Sequence, residues 1–152
     1  MSPEENKVHV RQMLTTLWNE QDVNVVDQYF AADYVSHSRM PGIPPNRDGT
    51  KQWAALQFKA FPNGNRKIES QIAEDDKVVT RISADLPHEG DFLGIQPTGR
   101  TIHVTAIVIH RLDNGKIVEE WMEMDRLDML QQLGAMQTPG PEVEVKSRLV
   151  TD

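Results

Sequence analysis

The chain has 152 residues, a formal charge of −7 and no cysteine. That length supports one domain with its own core. The acidic balance leaves no basic excess for nucleic-acid phosphates or anionic lipid, and the missing cysteine excludes disulfides and thiolate chemistry.

The polar start MSPEENKV does not read as a secretory signal, and no apolar run approaches the roughly 20 residues that span a bilayer. A soluble, cytoplasmic protein is expected. Ser2-Pro3-Glu4-Glu5 opens a helix: Ser2 can cap it, Pro3 suits the first helical position and Glu5 completes a capping box. Val10, Met13, Leu14, Leu17 and Trp18 recur at helical spacing and predict one buried stripe to about Glu20. His9 on this helix reads as a surface residue. Asp22 can cap a second, shorter helix with Val25, Val26, Tyr29 and Phe30. Residues 33–37 form a short extended piece. Residues 39–47 hold three prolines and a glycine and predict a loop. Asp48 can cap a third helix carrying Trp53, Leu56, Phe58 and Ala60, stopped before Pro62.

The second half changes period. Residues 67–74 alternate, with Ile68 and Ile72 on one face, and Asp75-Asp76 makes a turn. Residues 77–86 and 100–112 read as long strands, with the Gly- and Pro-containing loop 88–100 between them. Asn114-Gly115 is a strong hairpin signal. A strand over 117–124 follows, then Asp125 at a strand-to-helix junction and a short helix to Gly134. Helices followed by an antiparallel sheet indicate one α+β domain, residues 1–136, with a tail at 137–152. The tail holds Pro139-Gly140-Pro141 and an alternating EVEVKSRLV; an added strand, a dimer arm and disorder are all open to it.

Several segments in this order resemble one family. They are Ala32-Asp33-Tyr34-Val35-Ser36-His37, Ala60-Phe61-Pro62-Asn63, and residues 72–79 (IAEDDKVV). Residues 92–100 (FLGIQPTGR), Gly115–Trp121 and Gln132-Leu133-Gly134 complete the pattern. Over residues 6–135 the chain resembles the SnoaL-like polyketide cyclases and ester cyclases of the nuclear transport factor two-like fold. The resemblance implies a cone-shaped α+β fold, a curved antiparallel sheet and three N-terminal helices enclosing a pocket. It also implies a homodimer or homotetramer built on the sheet's outer face, with Trp121 and Ile117 as contacts. Members that cyclise polyketides by aldol condensation carry an acid/base aspartate directly after the position of Trp121. Here that residue is Met122, and a thioether cannot shuttle a proton.

Catalysis must then rest elsewhere. Asp125 beside Met122, Met124 and Trp121 is a candidate general base, its pKa raised by the apolar wall; equally, an Asp there can cap the following helix. His37 is a candidate acid or oxyanion donor if it faces the interior, or a histidine that fastens loop backbone. His88 can touch ligand at the pocket mouth or secure its turn. Strand alternation puts Glu120, Met122 and Met124 on one face and Glu119, Trp121 and Glu123 on the other, and a bulge would mix the sets. Glu120 is therefore an alternative carboxylate. Trp53, Met122, Met124 and Tyr34 can line a pocket for a flat, apolar ligand, with the Tyr34 hydroxyl as its polar handle. His103 and His110 lie on opposite faces and make no metal pair, and no spacing matches a zinc site. Neither cofactor nor metal is expected.

The expected function is cofactor-independent proton transfer on an apolar carbonyl compound: aldol-type cyclisation or isomerisation, with Asp125 as base and His37 as acid. A non-catalytic small-molecule-binding protein on the same scaffold is the first alternative. An epoxide-hydrolase-like site is the second, and Arg81 and Asp85, which share a strand face, would have to supply part of it.

Overall fold

The computed structural model describes residues 1–38 and 40–137, so the tail sequence from 138 onward lies outside the described residues. Helix α1 spans Pro3–Leu14 and starts as its sequence dictates. The Glu5 N–H donates to Ser2 Oγ at 3.1 Å and the Ser2 N–H to Glu5 Oε2 at 2.6 Å, a closed capping box. Val10, Met13 and Leu14 are buried. The helix does not continue as α to Glu20. It widens into a π-helical turn over Thr15–Asn19, closed by the Glu20 N–H on the Thr15 carbonyl at 3.1 Å.

Helix α2 is a single turn and a half, Val25–Tyr29. Asp22 does not cap it; its Oδ1 accepts from the Asn24 N–H at 3.0 Å, one step earlier. Phe30, expected in that helix, instead begins strand β1, Phe30–Ser36. Helix α3 spans Arg47–Ala60 and is capped by Asn46, not Asp48. Asn46 is the residue with extended backbone, and its Oδ1 accepts from the Gly49 N–H at 3.1 Å. Gly49 has a second constraint: a Cβ there would lie 1.6 Å from the Pro44 carbonyl oxygen. Only glycine lets the proline-rich loop press on the helix start.

Strands β2 (Asn65–Glu74), β3 (Lys77–Pro87), β4 (Thr101–Asp113) and β5 (Lys116–Met124) follow, then helix α4, Arg126–Gln132. The curved sheet has the order β1-β5-β4-β3-β2. It is mixed rather than purely antiparallel, because β1 pairs parallel with β5. The β4–β5 turn places Asn114 at φ 49° and Gly115 at φ 74°, the left-handed pair that a two-residue hairpin needs.

Two bulges decide which side chains face inward. In β2 the register moves from Ile68↔Ile82 to Ser70↔Arg81, leaving Glu69 unpaired. Ile68 and Ile72 therefore fall on opposite faces, and Ile72 is 69% exposed rather than buried with Ile68. In β5 the register moves from Arg111↔Glu119 to Leu112↔Ile117, leaving Val118 unpaired. Ile117 therefore turns into the core with no exposed area, on the same side as Met122. It is not available for the outer contact expected of it.

With both bulges counted, the inner face reads in rows across β2, β3, β4 and β5. Arg66, Ala84 and Val104 form one; Ile68, Ile82, Ala106 and Met124 the next. Gln71, Thr80, Val108 and Met122 follow, then Ala73, Val78, His110 and Glu120. The helices pack over this face, and α4 closes one end with Met129 and Leu133 buried.

Candidate functional site

Between the helices and the inner face lies a cavity of about 430 Å³. Its walls are mostly apolar: Leu17, Trp18, Trp53, Ile82, Val108, Met122 and Met124 are among them. Among the described lining residues Glu120 is the sole carboxylate. Its Oε2 lies 3.0 Å from Nε2 of His110, its neighbour across the β4–β5 ladder. The His110 side chain is 1% exposed and that of Glu120 18%, so the pair is enclosed but Glu120 keeps access to the cavity. His110 Nδ1 is buried without a hydrogen-bond partner among the described residues.

Tyr34 is buried behind this pair. Its hydroxyl sits near Glu120, Thr50 and Ser36 but makes no hydrogen bond of normal geometry to any of them. Burial first, then the Glu120 charge, holds its ionisation well above the usual phenol range. The ring packs edge-on against Phe30 at 4.7 Å, so Tyr34 shapes the wall from behind rather than lining the cavity.

The other sequence candidates divide. Trp53, Met122 and Met124 line the cavity, and Trp53 also packs on Phe92 at 5.9 Å. His37 is turned away from the interior, a correction to the inward reading. β1 alternates, with Tyr34 buried and Val35 41% exposed, and His37 follows Ser36 outward. Its Nε2 meets Glu119 Oε2 at 2.8 Å and its ring stacks on Trp121 at 4.9 Å. The Glu119 carboxylate, held by His37 first and then by Arg111 (Nε to Oε1, 2.6 Å), ionises below the usual carboxylate range.

Asp125 caps α4: its Oδ1 accepts from the Asp128 N–H at 3.0 Å. It does not line the main cavity. Asp125 and His37 instead border a separate depression, of which Met122 and Met124 form the shared wall. His88 is fully buried; its Nδ1 accepts from the Thr98 N–H at 3.1 Å and ties the 88–100 loop together. It takes the turn-fastening role and does not line the cavity. His9 is half-buried against Tyr29 at 4.8 Å rather than a free surface residue. Arg81 and Asp85 are both exposed, and Asp85 Oδ1 pairs with His103 Nδ1 at 2.8 Å. They lie outside the cavity, which removes the epoxide-hydrolase-like cluster.

Two cavity residues escaped the sequence reading. Spacing alone presents His110 only as half of a metal pair that strand alternation excludes; its pairing with Glu120 depends on the bulge at Val118. Arg66 lies one step before the predicted start of β2, yet its spacing from Ile68 already puts it on the inner face. Among the described residues no group of three or more His, Asp or Glu side chains converges as a metal site would require. Nor is any helix among them long and apolar enough to cross a membrane.

Comparison with known proteins gives a consistent picture. The family model for SnoaL-like polyketide cyclases matches residues 8–133. AclR from Streptomyces galilaeus, a proposed hydroxylase, superimposes with TM-score 0.80 at 26% identity, over 99% of this chain and 94% of its own. A proposed polyketide cyclase from Bacillus cereus gives TM-score 0.77 at 28% identity, over 90% of this chain and 87% of its own. IdmH, a proposed polyketide cyclase from Streptomyces antibioticus, gives 0.71 at 28%, over 88% and 99%. A search of curated protein sequences finds no match.

Proposed function

Because the chain belongs to the SnoaL-like polyketide cyclase family, we propose that it is a cofactor-independent acid/base enzyme acting on an apolar, polyketide-like carbonyl compound. Glu120 is the proton-transfer group and His110 its positioning partner. The observation that carries this reading is the Glu120–His110 contact of 3.0 Å on the wall of an otherwise apolar cavity. Glu120 Oε2 is engaged by His110, which leaves Oε1 to face substrate. A carboxylate there takes the proton from a carbon next to a carbonyl, and the C–H electron pair becomes an enolate. The enolate carbon then bonds to a second carbonyl carbon, whose oxygen takes up a proton; or it regains a proton at another position, which is isomerisation. Positioned acid/base groups typically contribute about 10²–10⁴-fold. Trp53, Met122 and Met124 provide flat apolar contact that holds the substrate against this group.

Solvent exchange tests this without knowledge of the final product. Aryl β-keto esters of several ring sizes are incubated in deuterated buffer, and incorporation at the α-carbon is followed by mass spectrometry. The wild-type protein is expected to accelerate exchange, and Glu120→Gln to lose about 100-fold or more of that acceleration. Unchanged exchange in Glu120→Gln rejects the assignment. Met122 in the family's acid/base position favours a second reading, a binding protein on the same scaffold. That reading expects ligand uptake with no exchange in either protein. We read the sheet's outer face, where Val35 and Ile107 are exposed near Trp121, as the contact of a homodimer or homotetramer. Sedimentation of Ile107→Lys tests this, because an unchanged mass for the variant rules it out.

A further inference from the structure

The cavity's other polar feature is a guanidinium. Arg66 sits on the inner-face row with Ala84 and Val104, six residues along β4 from the His110 row. Asn19, from the π-helical turn, clamps its backbone from both sides: Nδ2 donates to the Arg66 carbonyl at 3.1 Å and Oδ1 accepts from its N–H at 3.2 Å. The guanidinium lies over the Trp18 ring, 4.7 Å from its centroid, and Nη2 donates to Gln57 Oε1 at 2.9 Å. Nη1 is buried with no acceptor among the described residues. Among the described residues no carboxylate lies within ion-pair distance of Arg66.

This is an unusual placement for a cation. Arg66 is partly buried, and a charge so desolvated ordinarily carries a paired anion. Here burial alone pushes the guanidinium down to about 10, still protonated at neutral pH. The charge balance of the cavity points the same way. Arg66 is the cation on the cavity's inner-face rows, and Glu120, among the described lining residues the sole carboxylate, lies several rows away. Trp18, Asn19 and Gln57 hold the arginine in place, and none of them neutralises it.

We infer that Arg66 binds a carboxylate on the substrate, so that the protein acts on an aromatic or polycyclic acid rather than on its neutral ester. A carboxylate at the edge of the guanidinium that borders the cavity supplies the missing counter-charge. The row spacing sets this group apart from the carbon that faces Glu120. The inference rests on the proposed use of the cavity as a substrate site, but not on Glu120 being the base.

The test uses a matched pair, anthraquinone-2-carboxylate and its methyl ester, titrated against the full chain while tryptophan emission is recorded, since Trp18 and Trp53 both line the cavity. The acid is expected to bind about tenfold or more tighter than the ester, the scale of a charge-assisted contact. Arg66→Met keeps a stem on Trp18 and is expected to reduce this preference to twofold or less while ester affinity holds. Arg66→Lys keeps the charge and is expected to retain part of it. Equal binding of acid and ester by the wild-type protein, binding of neither, or a preference surviving in Arg66→Met overturns the inference. Should Arg66→Met not fold, the wild-type comparison and Arg66→Lys decide. Glu120→Gln is expected to keep the acid preference. Failure of the proton-transfer reading therefore leaves this result intact, and failure here leaves α-carbon exchange intact.

Discussion

Asp125 separates a structural carboxylate from a chemical one. Its Oδ1 accepts from the Asp128 N–H at 3.0 Å and satisfies one of the free donors at the start of α4. That helix holds Met129 and Leu133, 4% and 3% exposed, over one end of the cavity. Replacing a capping aspartate by alanine costs about 1 kcal/mol. For a domain of this size that is a melting-temperature drop of about 3 °C. Asparagine caps about as well as aspartate, so Asp125→Asn should lose only the interaction of its charge with the helix terminus, about 0.5 kcal/mol. The two variants, followed by thermal unfolding and by α-carbon exchange, therefore report different properties. The expected result is a lower melting temperature for Asp125→Ala, little change for Asp125→Asn, and exchange by Asp125→Asn within about twofold of wild type. If Asp125→Asn keeps its melting temperature and loses exchange by about 100-fold, Asp125 is the proton-transfer group and the role given to Glu120 is wrong.

Other outcomes follow from the same contacts. Glu120→Gln keeps an acceptor for His110 Nε2 and should unfold within about 1 kcal/mol of wild type, whereas Glu120→Leu leaves that nitrogen buried and unpaired, at about 1–3 kcal/mol in chemical denaturation. Ile117→Ala should cost about 2–5 kcal/mol and leave the sedimenting mass of the folded protein unchanged, because Ile117 is core and not interface. Gly49→Ala forces the Pro44 carbonyl away from α3; a melting-temperature loss equivalent to about 1–3 kcal/mol is expected, with weaker probe binding because Pro44 and Gly49 both line the cavity. The lowered Glu119 pKa means that its contribution to stability is complete above the unfolded carboxylate value and fades as pH falls through the folded one. Arg111→Ala should raise that pKa and flatten the acid limb of stability against pH, visible as an upward shift of the Glu119 carboxyl titration by NMR.

Much of this fold was legible because its signals are local. The Ser2–Glu5 capping box, the Asn114-Gly115 turn, and the strand sequence after residue 65 each follow from short-range rules. What was not legible were the departures from periodicity. Strict alternation places Ile72 with Ile68 and puts Ile117 opposite Met122; one unpaired residue in each strand reverses both. The cap of α3 was missed because Asp48 and Asn46 are chemically equivalent caps, and only the steric fit of Gly49 under Pro44 selects between them. In the cavity, Trp53, Met122, Met124 and Glu120 could be found from face and composition. His110 could not, because its partner is set by a register that the hairpin alone would assign differently. Arg66 went unread because a basic residue at a strand start looks solvated until Trp18 and Asn19 fold over it.

The bulge at Val118 has a consequence for how such proteins diverge. A regular two-residue hairpin would pair His110 with Glu119, and the bulged one pairs it with Glu120. Closing the bulge without shortening the strand would thus exchange the inward face of β5 beyond it, bringing Glu119, Trp121 and Glu123 inside and sending Glu120 and both methionines out, whereas deleting Val118 would keep the present face. Chemistry at the site is then inherited through the bulge as much as through residue identity. A substitution survey confined to the cavity lining would never sample the largest step available to this cavity, whereas substitutions around Val118 that disfavour the bulge would reach it directly.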